Sequence, residues 1–248
     1  MVRRFLLIAP LLIALAACNK SAEHPAAEAP AASVQAAAEQ PASDPATPAE
    51  PAATAEMDAK PNLVPGTDYV AIEGGQPLAP LDGKIEVVEV FAYWCPHCFE
   101  FEPLVEAWKA KLPQDVRFSF LPMSGGANDT LARVYFAAET TGMLDKVHDT
   151  MFHAIHADRV LPPSAGTEQI LEFLGGKGVD TKTLGAAMQS FAMSTRLNQS
   201  MQFAERNGVT GTPTLVINGK YRVIGKTQNE VLQIANALIA QERAAAGK

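Results

Sequence analysis

The chain has 248 residues and a formal net charge of −7, with charged residues making up 19% of it. An acidic balance without a basic cluster excludes a nucleic-acid-binding surface. The composition also shifts sharply along the chain, so its whole length cannot belong to one packed core.

Met1 to Ala17 has a charged start (Arg3, Arg4) and then an apolar run from Phe5 to Leu15. This reads as a secretory signal, too short for a permanent membrane span. It ends in Leu15-Ala16-Ala17-Cys18, which resembles a bacterial lipoprotein signal, cut before a Cys18 that becomes lipidated. The alternative is an ordinary cleavage site ahead of a free cysteine. Residues 18–60 then form an Ala/Pro-rich stretch with almost no large apolar side chains. Such a stretch buries too little surface to offset its ordering entropy, so it is expected to be a disordered linker. Residues 61–248 suffice for one well-cored domain.

Within that domain, Ile85 to Phe91 reads as a strand after the turn Asp82-Gly83. A helix opens at the cysteines, where Pro96 suits a first helical position, and its apolar residues recur through Leu112. Arg117 to Leu121 is a second strand, parallel to the first across a right-handed crossover. Five helices are then expected: Asp129 to Thr141, Met143 to His156, Thr167 to Gly175, Asp180 to Met193, and Thr195 to Asn207. Strands return at Thr214 to Ile217 and Tyr221 to Ile224, joined by the hairpin signal Asn218-Gly219. A last amphipathic helix runs from Asn229 to Arg243. The fold class is α/β, with an all-helical insertion at about 125–195 dividing the sheet elements.

The chemistry centres on Trp94-Cys95-Pro96-His97-Cys98. The chain has three cysteines. Lipidation of Cys18 leaves Cys95 and Cys98 as a redox pair, and export would place them where disulfides persist. Cys95 falls at a helix N-terminus, where unpaired N–H groups and the helix dipole favour an anion, the reactive form of a thiol. Cys98 lies one turn deeper. Cys95 is thus the expected attacking thiol and Cys98 the resolving thiol. His97 can add a donor and positive charge near the Cys95 sulfur, and Pro96 restricts the small ring. Stabilising the dithiol form makes the disulfide form a stronger oxidant. A zinc site would need two further ligands, and no other free cysteine exists to serve. His153 and His156, at i, i+3, have a spacing that could share a metal but is commoner among ordinary helix histidines; His148 is read the same way.

Two further features stand out. Glu89 shares a strand face with Ile85, Val87 and Phe91. It is either a buried carboxyl with a raised pKa, able to accept a proton from Cys98, or a solvated edge residue. Gly211-Thr212-Pro213-Thr214 precedes a strand. There Pro213 is either cis, presenting the Thr212 backbone as an edge for an extended peptide, or an ordinary trans proline.

The run from Glu89 through Cys98, the helical insertion, Gly211-Thr212-Pro213 and Val216 to Tyr221 together resemble the DsbA family of bacterial thiol:disulfide oxidoreductases. The resemblance covers residues 61–248. It implies a thioredoxin fold with an inserted helical subdomain, acting as a dithiol oxidase that donates its disulfide to newly exported proteins. It implies reoxidation by a DsbB-like inner-membrane quinone reductase, no cofactor, a monomeric protein, and a place at the periplasmic face of a membrane. By position, Cys95 corresponds to the nucleophile, Cys98 to its partner, Pro213 to the cis-proline and Glu89 to the buried acid. One departure is visible. The best-known members pair the buried acid with a lysine on the next strand, where this chain has Phe120. An isomerase or reductase, and a tethered peptide-binding module with incidental cysteines, are the competing functions.

Overall fold

The computed structural model describes residues 58–247. The signal segment, Cys18 and the linker up to residue 57 lie outside the described residues. Asp58 and Lys60, assigned to the linker on composition, are tied into the fold. The Lys60 ammonium donates to Asp68 and Glu230 at 2.8 and 2.6 Å. The Asp58 carbonyl accepts from Asn236 Nδ2 at 2.7 Å. The domain therefore begins slightly earlier than its apolar pattern indicates, because polar groups hold this edge.

Five strands make one mixed sheet: β1 (Tyr69–Ala71), β2 (Ile85–Phe91), β3 (Val116–Pro122), β4 (Thr214–Ile217) and β5 (Tyr221–Val223). Their order is β1-β5-β4-β2-β3. β2 pairs parallel with β3 and antiparallel with β4, so it is an interior strand, and it is buried along its whole length. The predicted β2–β3 crossover and the β4–β5 hairpin are both present. Asn218 and Gly219 take φ of 51° and 63°, the conformation an Asn-Gly hairpin turn requires. β1 lacks any sequence signal of its own. It exists because Tyr69 to Ala71 lie against Val223 to Tyr221 and close the β5 edge.

Helix α1 (Pro96–Lys109) follows β2, and α7 (Gln228–Ala245) closes the chain against it. Between β3 and β4 come α2 (Thr130–Thr140), α3 (Leu144–Phe152) with a π-helical turn at His153–Ala157, α4 (Thr167–Gly176), α5 (Thr181–Met188) and α6 (Phe191–Arg206). Asp129 and Asp180 cap α2 and α5 by accepting backbone N–H groups, as their positions predict. The expected break near Ser194 lies instead at Gln189-Ser190, and Phe191, opening α6, is 93% exposed. The insertion boundary at 195 thus falls inside α6, one unbroken helix. Its Ser200 hydroxyl donates to the Pro122 carbonyl at the end of β3. The two halves share one core. Phe91 of β2 packs its ring against Tyr135 of α2, Phe152 of α3 and Tyr93 at centroid distances of 5.2 to 5.8 Å.

Candidate active site

Cys95 is the N-cap of α1 with extended backbone (φ −87°, ψ 116°), and Pro96 opens the helix. The sharp exit from β2 is held by the Cys95 N–H donating to the Ala92 carbonyl at 3.0 Å. Both cysteines are thiols in the structure and both are buried. Cys95 retains a 4% exposed edge while Cys98 has none. The helix geometry therefore presents one sulfur to the surface and hides the other.

The Thr212–Pro213 bond is cis. The loop it shapes lies against the cysteines, and Cys95 Sγ donates to the Thr212 carbonyl at 3.3 Å. A cavity of about 320 Å³ extends from His97 past Thr212 and Pro213 to Gly225 and Gln228. Its walls combine an accessible backbone with apolar side chains, a surface suited to an extended peptide. His97 is exposed, with Nδ1 3.1 Å from the Glu100 carboxylate.

Burial pushes the Cys98 thiol far up, with the neighbouring Cys95 and Glu89 adding to the shift. The Ala92 backbone and the Thr212 side chain oppose it without overcoming it. A Cys98 thiolate released in this place is thus a strong base that needs a proton.

Glu89 is 1% exposed on an interior strand, so the solvated-edge reading does not hold. It faces Phe120 across β3 and Leu215 across β4. Neither carboxyl oxygen has a hydrogen-bond partner among the described residues. Burial raises its pKa well above the ordinary carboxylate range; the acids Glu102 and Glu106 and the Cys95 thiol add to this, and Lys109 acts against it. The Lys109 ammonium lies 5.0 Å from the Phe120 ring centroid. Glu86, three residues earlier on the same strand, shows the contrast. It is equally buried, but accepts from the Leu78 and Ala79 N–H groups and from Arg117, at 2.7, 3.1 and 2.7 Å. One carboxylate is fully hydrogen-bonded and the other has no partner among the described residues.

The other three domain histidines, read from sequence as ordinary helix residues, differ in their surroundings. His153 is half exposed, beside Asp149 at 3.4 Å. His156 stacks on Phe99, and its Nε2 donates to the Tyr93 carbonyl at 2.8 Å. His148 is buried among Phe91, Tyr93, Phe120, Tyr135 and Phe152. Its Nδ1 is 2.9 Å from the Tyr93 hydroxyl and its Nε2 is 3.3 Å from Glu102. The sequence pattern passes over Glu102 and leaves His148 an ordinary helix histidine, because each belongs to a helix whose pattern reads as simply amphipathic. The available signal was their place on the buried faces, beside Val105 and Phe152. Among the described residues no set of three His, Cys, Asp or Glu side chains is arranged to hold a metal ion.

A family model described as a DSBA-like thioredoxin domain matches residues 113–236, half of the chain. The chain is 41% identical over 187 residues to the thiol:disulfide interchange protein DsbA of Pseudomonas aeruginosa, covering 74% of this chain and 87% of that protein.

The chain belongs to the DsbA family.

A DsbA of the same description from Azotobacter vinelandii is 40% identical over 185 residues, covering 73% of this chain and 85% of its own length. Among solved structures, the oxidoreductase DsbA of Xylella fastidiosa superposes with a TM-score of 0.70 at 38% identity, over 73% of this chain and 98% of that one. Pseudomonas aeruginosa DsbA gives 0.69 at 39% identity, over 74% and 96%. As a DsbA-family protein this chain is a thiol:disulfide oxidoreductase with a thioredoxin fold and a helical insertion, as the sequence motifs imply.

Proposed function

We propose that the chain is a periplasmic dithiol oxidase that donates a Cys95–Cys98 disulfide to newly exported proteins. The observation that carries this is the unequal placement of the two sulfurs. Cys95 caps a helix at the surface beside the Thr212 carbonyl, and Cys98 is sealed beneath it.

A substrate thiolate attacks Cys95 Sγ, the sulfur that solvent reaches. The S–S bond breaks and its electron pair leaves on Cys98. Glu89, held neutral by burial, gives that sulfur its proton. A second substrate thiolate then attacks the substrate sulfur of the mixed disulfide. This releases Cys95 as a thiolate at the helix N-terminus, where the dipole favours it. The substrate leaves oxidised and the protein reduced. The Thr212–Pro213 loop offers main-chain groups to the substrate segment, Pro96 holds the ring geometry, and His97 lies at the mouth of the groove.

Reoxidation falls to a DsbB-like quinone reductase of the inner membrane. Cys18 carries a lipid that tethers an otherwise monomeric domain at the periplasmic face of a membrane. No described helix is long and apolar enough to cross a membrane. The test is Cys98→Ser in cells. Mixed disulfides with exported proteins should accumulate at Cys95, and none should form in Cys95→Ser. A Cys95–Cys98 disulfide as resistant to dithiols as a structural one would refute the oxidase reading.

A further inference from the structure

Two recesses meet the first turn of α1. The groove beside Thr212 and Pro213 reaches it at His97 and Phe101, which share one face of the helix at i, i+4. A second recess, of about 490 Å³, reaches it at Pro96, Phe99 and Glu100, which share a different face. Arg159, Pro162 and Pro163 of the insertion form the far side of this second recess. Trp94, next to Cys95, and Val160, next to Arg159, are exposed apolar side chains. The turn that carries the reactive sulfur is thus flanked by binding surface on both sides.

Each recess holds one exposed cation that forms no ion pair among the described residues. Lys226 lines the first. The carboxylates it acts on through space, Asp68 and Glu230, are both bonded to Lys60 instead. Arg159 lines the second. The carboxylate on that lining, Glu100, faces His97 at 3.1 Å. Backbone bonds fix where Arg159 stands. Its φ is 54°, which a non-glycine residue adopts rarely unless its surroundings impose it. Here the Val160 and Leu161 N–H groups both donate to the Ala154 carbonyl in the π-helical turn, at 2.9 and 3.1 Å. Two unpaired cations beside the reactive sulfur stand out in a chain of net charge −7.

We propose that Lys226 and Arg159 are specificity-determining residues that bracket the bound segment and select exported polypeptides with carboxylates on both sides of the cysteine that attacks Cys95. This rests on the oxidase reading and deepens it. A segment extended along the Thr212 edge leaves the first recess at the α1 turn and enters the second, so its residues before and after the cysteine meet different cations. The selection is electrostatic. Opposite charges at the rim of an interface raise the rate of association. A carboxylate beside a thiol also disfavours its thiolate, the attacking form, and a cation met on docking offsets that effect. Acidic neighbours of a substrate cysteine are thereby turned from a hindrance into a recognition signal.

The test is stopped-flow oxidation of synthetic peptides by the oxidised protein. Each peptide has two cysteines, with Glu, Gln or Lys on both sides of the first. The measure is the ratio of the Glu-peptide rate to the Lys-peptide rate. Within one variant a general loss of redox activity cancels from this ratio, and between variants the thiol chemistry of the peptides cancels. In about 20 mM salt the ratio should fall roughly 3-fold in Lys226→Glu and in Arg159→Glu, and roughly 10-fold in the double variant. In about 0.5 M salt most of that change should vanish. An equal ratio in wild type and the double variant would overturn the proposal. So would a ratio that moves with one substitution and not the other, because both sides are claimed. A change that survives high salt undiminished would show that charge is not its cause, with the same result. If wild type oxidises none of the peptides, the oxidase reading falls and the selection with it. If it oxidises them at rates blind to these substitutions, the oxidase reading stands and only the selection is lost.

Discussion

Glu89 on β2 and Phe120 on β3 are directly paired in the parallel ladder, so the buried carboxyl meets an aromatic ring across the strand. A cation that acts on the acid, Lys109, arrives from α1 and stands over that ring. The acid is therefore held in its neutral form by its surroundings.

A group whose pKa is raised by folding contributes full stability below its unfolded value, here about 4.5, and loses it as the pH climbs toward the folded value. Glu89→Leu removes that loss. The stability advantage of the variant over wild type should grow above pH 4.5 by up to about 1.4 kcal/mol per pH unit. Urea unfolding of both proteins at pH 4 to 8, in one redox state, measures it. A difference independent of pH would contradict the burial of the acid.

The two thiols should differ in alkylation. With burial raising Cys98, iodoacetamide at pH 7 should modify Cys95 in Cys98→Ala on the order of 100-fold faster than Cys98 in Cys95→Ala. Mass spectrometry against time reads both rates. Equal rates would mean that Cys98 is not sealed.

Asn236 joins three parts of the fold. Its Oδ1 accepts from Trp108 Nε1 of α1 at 2.7 Å, and its Nδ2 donates to the Asp58 carbonyl. Asn236→Leu strands a buried indole N–H and should cost about 1–3 kcal/mol. In a Trp108→Phe background the penalty should shrink by about 1 kcal/mol, the coupling of the pair in a double-mutant cycle.

Gly75 lies under the β4–β5 turn. A Cβ there would sit 1.9 Å from the Gly219 carbonyl oxygen and 2.7 Å from Ile72 Cγ2. Gly75→Ala should destabilise by about 3 kcal/mol, because the colliding atom is backbone and cannot rotate away. Gly176→Ala, in α4 with nothing within 4 Å, should stabilise by about 0.5–1 kcal/mol. Thermal melts distinguish the two.

Local chemistry explains what could be read from the sequence. The β2 strand, the Pro96 start of α1, the aspartate caps and the Asn218-Gly219 turn each carry their own signal over a few residues. The motif spacing also led to the cysteines, Glu89 and Pro213. What stayed hidden depends on distant partners. β1 needs β5 beside it. The choice between buried and solvated Glu89 is decided by β3 and β4 on its flanks. His148 acquires its setting only when α3 is laid against α1 and Tyr93. The start of α6 at Phe191, four residues before the expected Thr195, was hidden for a related reason, since the local pattern alone does not mark it.

Tyr93 is gripped at both ends by one helical segment, its hydroxyl by His148 and its carbonyl by His156. It stands two residues before Cys95. The insertion cannot pivot against the sheet without breaking one of these bonds or dragging Tyr93 along. Tyr93 thus works as a pin, and a push on the insertion by a docked protein would be delivered to the turn that carries the reactive sulfur.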